Sequence, residues 1–258
     1  MNSLGIIGVG NLTEKMVRGL RCSGFTGDIL LSPRSSEMSR ALAQECGCQV
    51  MATNQAVADH AELVCLGVRS TSLNEVAAEI NLKPGQGLVS LATGVGLQQL
   101  AKVFPGARCM RALFSYTAQF NRSTVVIYPP DAQSQELLKP LGNMVILEDE
   151  AAFELATVAA CMNGWFYFLL HDLQQWLVDK GLPAAEARAL VLSNLQDCID
   201  VAKQQPEHTL KALGQAIATP GTFTADGLAV LMHQPASATW GAACEVVLDA
   251  LLTRAELS

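Results

Sequence analysis

Two glycines separated by one residue, Gly8-Val9-Gly10, stand between a short apolar run and a helical pattern. Glycines at that spacing let the backbone turn tightly, and an anion can then approach the free N–H groups of the helix that follows. Asn11 and Leu12 open that helix. The next apolar run ends in Ser32-Pro33-Arg34-Ser35-Ser36, which carries an arginine and several hydroxyls but no acid. A carboxylate at that place bonds the ribose 2′-hydroxyl of NAD, whereas an arginine pairs with a 2′-phosphate that a carboxylate would repel. The two segments together predict a dinucleotide site for NADP(H) rather than NAD(H). The third position of the G-x-G-x-x-G/A pattern is Thr13, so the strand–turn–helix context carries more weight than the glycines alone.

A second group of residues comes late in the chain, at Thr219-Pro220-Gly221-Thr222-Phe223-Thr224. Pro220 and Gly221 break one helix, and Thr222 can cap the next. The start of that helix suits a small carboxylate, and Thr224 in its first turn offers a hydroxyl to the same place. Glu207 has two open readings: stabilisation of an iminium cation, or an acid that merely suits the start of a helix. The four histidines are scattered, and no nucleophile–base pairing suggests a hydrolase. The eight cysteines form no CxxC pair and no Cys/His set with zinc spacing, so no metal site is expected.

The elements that must position these residues alternate. Apolar runs at 5–9, 28–32, 48–52, 63–68, 87–91, 107–112, 123–128 and 144–147 read as strands, separated in the first half by helical patterns. Such alternation predicts a parallel sheet covered on both faces, an α/β Rossmann dinucleotide-binding domain over residues 1–150. From 151 to 258 no strand is expected. Helices are predicted near 151–180, 184–203, 207–217, 223–233 and 237–256, with breaks at Gly181-Leu182-Pro183, Gln205-Pro206, Pro220-Gly221 and Pro235.

Taken in order, these segments resemble the pyrroline-5-carboxylate reductase family. The family's start is similar to Gly8-Val9-Gly10-Asn11-Leu12, and its polar turn after the second strand to Ser32-Pro33-Arg34. Its cofactor-facing asparagine is similar to Asn54, and two further turns fall on Gly67-Val68-Arg69-Ser70 and Thr93-Gly94-Val95. The resemblance implies cofactor contacts at Gly8, Val9, Gly10, Asn11, Leu12, Ser32, Arg34, Asn54, Val68, Arg69, Thr93 and Gly94. It also implies Thr224 at the substrate nitrogen, with Glu207, Thr222 and Phe223 around the substrate. C-terminal helices that interlock between two chains are implied as well, hence a homodimer or higher homo-oligomer. The family's substrate motifs depart here. They fall on Leu113-Phe114-Ser115-Tyr116-Thr117-Ala118 and on Ala160-Cys161-Met162-Asn163-Gly164-Trp165-Phe166, while Thr222 and Gln215 replace a glycine and an aspartate.

Composition closes off several classes. A net charge of −7 disfavours nucleic-acid and anionic-membrane partners. The N-terminus lacks a basic signal region, and the apolar run Leu155 to Leu170 is broken by Asn163 and Gly164, so a soluble, cytoplasmic protein is expected. The resulting expectation is an NADPH-dependent reductase of a C=N bond in a small cyclic imino acid, as in proline biosynthesis. Two alternatives stand beside it: a paralogue acting on a different imine or carbonyl, and a dinucleotide-binding protein without catalysis.

Overall fold

The computed structural model describes residues 2–34, 36–233 and 236–256. Ser35 and the expected break at Pro235 lie outside the described residues. The apolar run at the N-terminus forms β1 (Ser3–Ile7) and leads through the glycine turn into α1 (Asn11–Cys22). Then come β2 (Asp28–Leu31), α2 (Ser36–Cys46), β3 (Gln49–Val50), α3 (Asn54–His60), β4 (Leu63–Leu66) and α4 (Leu73–Glu79). β5 (Gly87–Ser90), α5 (Leu97–Val103), β6 (Arg108–Leu113), β7 (Ser123–Tyr128), α6 (Ala132–Leu138) and β8 (Gly142–Ile146) complete this part. Beyond them the described residues form helices: α7 (Glu150–Asp179), α8 (Ala184–Gln204), α9 (Leu210–Ile217), α10 (Phe223–His233) and α11 (Ala236–Glu256).

The strands form one sheet in the order β3-β2-β1-β4-β5-β6-β7-β8. Pairing is parallel from β3 through β6, antiparallel between β6 and β7, and parallel again between β7 and β8. The all-parallel expectation therefore fails at the last two strands, and the reason is the length of the connection. Between β6 and β7 there is room for one 3-10 turn, Tyr116–Phe120, but not for a crossover helix, so β7 must return antiparallel. Adjacent residues on the central strands feed opposite faces: Ile6, Cys65 and Val89 join one core cluster, while Ile7, Leu66 and Leu88 join the other. That is the two-residue period of strands covered on both sides.

The chain divides into two compact units, residues 1–160 with 247–258, and Cys161–Val246. The division falls inside α7, ten residues beyond the expected boundary at 150, where α7 begins. In the first unit, α7 buries Phe153, Glu154, Thr157 and Val158, which share one helix face. In the second unit, α9 and α10 bury no described side chain, and Tyr167, Phe168 and Trp176 are exposed on α7. α9 starts later than expected because the Thr209 side chain accepts from Ala212 N at 3.2 Å and caps the helix there. Glu207 thus lies in the preceding loop.

Candidate functional site

β1 gives way to Gly8 at φ +90°, a conformation that favours glycine. A Cβ on Gly8 would lie 2.6 Å from Val68 Cγ1, and one on Gly67 would lie 2.4 Å from both Gly8 O and Thr13 Cγ2. The turns after β1 and β4 therefore touch, at the point where strand order reverses from one side of the sheet to the other. Open α/β sheets bind their ligands in that crevice. Gly10 serves differently, because a Cβ there would meet nothing within 4 Å. Its missing side chain leaves space before the first turn of α1, whose N–H groups at Asn11, Leu12 and Thr13 have no carbonyl one turn back. Free N–H groups at an open helix start can hold an anion. Thr13, the departure from the glycine pattern, is buried and acts as a clasp. Its Oγ1 accepts from Gly10 N at 2.8 Å and lies 3.2 Å from Gly8 O, to which it can donate.

At the neighbouring edge, buried Ser32 accepts from Gly8 N at 3.1 Å, and its carbonyl accepts from Ser39 Oγ at 3.1 Å. Ser32 thus braces the glycine turn. Arg34 is exposed just past β2, and its Nη2 pairs with Glu75 Oε1 at 2.9 Å and with Glu79 Oε1. These carboxylates, Glu75 foremost, hold the Arg34 guanidinium above its ordinary pKa. Glu79 Oε2 accepts from Asn54 Nδ2 at 2.5 Å. Asn54 is buried behind the Thr53 cap of α3, and its Oδ1 has no partner among the described residues. Pro33, Arg34, Thr53, Asn54, Gln55 and Glu79 line a cavity of about 430 Å³. An unpartnered buried acceptor beside a cavity fits a ligand hydroxyl or amine. The sequence singled out Arg34 and Asn54, which border this cavity, but not Glu75 and Glu79. Their four-residue spacing, which sets both on one helix face, was the available signal.

The third part of the arrangement follows β4 and β5. Val68 is half-buried against the second core cluster, and exposed Arg69 begins the Ser70–Ser72 turn, its carbonyl accepting from Ser72 N at 2.9 Å. Thr93 is exposed, and Gly94 is buried at φ +72°, where a Cβ would stand 3.1 Å from Arg254 Cδ. The Leu97 N–H that opens α5 donates to Glu150 Oε1 at 2.9 Å, and the same oxygen accepts from Arg111 Nη1 at 2.9 Å. Arg111, fully buried in β6, also pairs with Glu154 at 2.5 Å and stacks over Phe153 with 4.2 Å to the ring centre. The Thr93–Gly94–Val95 turn is thereby tied through α5 to α7. Arg111 was a further residue missed, although a charge inside an apolar strand run marks a buried pair.

The late loop lies in the second unit. Gly221 adopts φ +86°, and Thr222 Oγ1 donates to Thr219 O at 2.8 Å and accepts from Ala225 N at 3.2 Å, the expected cap. Phe223 is 96% exposed and Thr224 is exposed beside it in the first turn of α10. Glu207 is exposed, 2.9 Å from His208 Nδ1. The altered motifs carry bulky replacements in both units. Phe114 enters the core of the first unit and Tyr116 is exposed, whereas Trp165 and Phe166 pack on Trp240 with ring centres 6.1 and 5.4 Å apart.

Residues 3–94 match the family described as NADP oxidoreductase coenzyme F420-dependent, and residues 150–251 match the family described as pyrroline-5-carboxylate reductase dimerisation. The pyrroline-5-carboxylate reductase of Haemophilus influenzae is 23% identical over 264 residues, which covers 98% of this chain and 96% of that protein. The structure of 1-pyrroline-5-carboxylate reductase from Streptococcus pyogenes superposes with a TM-score of 0.87 at 23% identity, over 96% of this chain and 97% of that one. Pyrroline carboxylate reductase from Plasmodium falciparum, solved with NADP bound, also gives 0.87, at 17% identity over 98% of both chains. The two solved structures share this fold.

Proposed function

We propose that this chain is a member of the pyrroline-5-carboxylate reductase family and uses NADPH to reduce the C=N bond of a small cyclic imino acid. The observation that carries the proposal is the open face of Gly10 before α1, at the reversal point of the sheet, in a chain whose C-terminal helices match the family's dimerisation region. In this assignment residues 1–150 bind NADP(H), and residues 151–258 serve dimerisation and substrate. Gly8 and Val9 shape the turn, the N–H groups of Asn11 and Leu12 hold the pyrophosphate, and Arg34 beside Ser32 takes the 2′-phosphate. Asn54 offers its unpartnered Oδ1 to the adenosine end. Val68, Arg69, Thr93 and Gly94 lead towards the nicotinamide.

NADPH, when bound, supplies the hydride. The chain's own residues have the simpler tasks of holding, orienting and stabilising charge. The start of α10, capped by Thr222 and followed by Phe223, suits the substrate carboxylate. Thr224 presents its hydroxyl to the imine nitrogen, and Glu207 adds negative charge that favours the iminium cation. If the imine is protonated when its carbon takes hydride, the C=N π pair would become the nitrogen lone pair, and the proton already on nitrogen would make the product the secondary amine.

The working form we propose is a cytoplasmic homodimer. All eight cysteines are free thiols, which suits a reducing compartment. By length and composition α7 is apolar enough to cross a membrane, but the whole helix falls within the dimerisation match, and a partner chain would cover its apolar side chains.

The test is NADPH consumption by the purified protein on addition of 1-pyrroline-5-carboxylate, with product analysis for proline. Steady turnover to proline supports the assignment. Turnover only on another cyclic imine or a carbonyl would replace the substrate. Tight NADPH binding with no turnover across such a panel would leave a dinucleotide-binding protein and overturn the enzyme.

A further inference from the structure

Arg34 does not face the dinucleotide cavity alone. Its Nη2 is held by Glu75 and Glu79, and Glu79 also holds the buried amide of Asn54. Arg34, Asn54 and Glu79 all line the same cavity of about 430 Å³. A 2′-phosphate drawn to Arg34 therefore meets two carboxylates already paired with that guanidinium. It must displace them or accept their repulsion, because like charges at such distances oppose each other. A cofactor with a plain 2′-hydroxyl meets the reverse situation. A carboxylate accepts a hydrogen bond from a hydroxyl, as the acid of an NAD site does. The acid missing at the end of β2 is thus supplied from α4, by residues 41 and 45 positions further along the chain.

We propose that Glu75 and Glu79 are specificity-determining residues that restrain the chain's preference for a 2′-phosphorylated dinucleotide. The proposal rests on the assignment of Arg34 to the 2′-phosphate. Both carboxylates are at least a third exposed, so water and salt limit their effect. The geometry makes Glu79 the stronger of the two, since it alone bridges Arg34 and Asn54 and borders the cavity.

The experiment is calorimetric titration of the full chain with adenosine 2′,5′-bisphosphate and with ADP, repeated with NADPH and NADH. In the Glu75→Gln/Glu79→Gln variant, affinity for the two 2′-phosphorylated ligands should rise about three- to tenfold, while that for ADP and NADH, which share the plain 2′-hydroxyl, stays level or falls. The rise should shrink at high salt. Glu75→Gln alone, which keeps the Glu79–Asn54 bond, should give a smaller rise and guards against local disruption. Arg34→Ala separates the two layers of inference. If Arg34→Ala selectively weakens 2′-phosphate binding but the glutamine variants leave the ratio unchanged, the role of the carboxylates is overturned and the cofactor assignment stands. If Arg34→Ala weakens both ligand types equally, the 2′-phosphate assignment fails and the proposal fails with it.

Discussion

At the scale of single residues, turnover and cofactor binding should come apart at Thr224. The side chain is exposed in the first turn of α10, next to a cap that Thr222 already satisfies, so its hydroxyl is not needed to hold the helix. Thr224→Val keeps the shape and removes the hydroxyl. We expect kcat to fall roughly ten- to a hundredfold, the loss of one uncharged hydrogen bond with its partner left unpaired, while the NADPH dissociation constant barely moves. Single-turnover kinetics alongside a binding titration would show it, and undiminished turnover would remove Thr224 from the mechanism. Residues of this kind differ in how far the sequence reveals them. Gly8 and Gly10 are readable because a positive φ and a close approach restrict the choice of side chain. Arg34 is readable because the segment around it lacks an acid. Its acidic partners are not readable from that segment, because they arrive from another helix through tertiary packing.

At the scale of elements, apolar period and turn residues place the strands and helices closely, and their limits are physical. The reversal of β7 depends on the length of a connection rather than on the pattern within a strand. The late start of α9 depends on a side-chain cap at Thr209. The anchoring of α7 is the least readable feature, since apolar residues run all round that helix and do not mark its buried face. The structure marks it instead by Phe153 and Glu154 against Arg111. Both ions of this pair are buried, and Arg111 Nε and Nη2 and Glu154 Oε2 have no hydrogen-bond partner among the described residues. Removing Glu154 leaves the buried Arg111 with only the partly exposed Glu150 opposite it, which costs up to about 3–5 kcal/mol. Glu154→Ala should therefore lower stability by that order in urea unfolding, whereas Arg111→Met with Glu154→Leu should recover much of the loss. A change below about 1 kcal/mol in the single variant would mean that Glu150 alone suffices for Arg111.

At the scale of the whole molecule, the second unit is short of cover. Tyr167, Phe168 and Trp176 on α7 are 69%, 73% and 61% exposed, and Val230, Leu231 and Met232 on α10 are exposed as well. Single exposed apolar residues are ordinary, but aromatic and aliphatic side chains in series along two helices are not. α9 and α10 bury no described side chain fully, so their apolar faces gain little from folding unless another surface meets them. The match of residues 150–251 to a family described as a dimerisation region supports the proposed homodimer, in which a second copy of the chain would be that surface. Obligate dimers bury about 2,000 Å² or more of largely apolar surface, and each large aromatic residue can contribute about 150–250 Å². We expect sedimentation to give a dimer or a larger even assembly across the micromolar range, and the unfolding midpoint to rise with protein concentration, because association stabilises only the folded chain. Phe168→Glu with Trp176→Glu should shift the population to monomer or to aggregate and lower the unfolding temperature, since two charges would be forced into an apolar contact. A wild-type chain that sediments as a stable monomer at micromolar concentration, with an unfolding midpoint independent of dilution, would show that these side chains meet water in the working protein and that the dimer assignment is wrong.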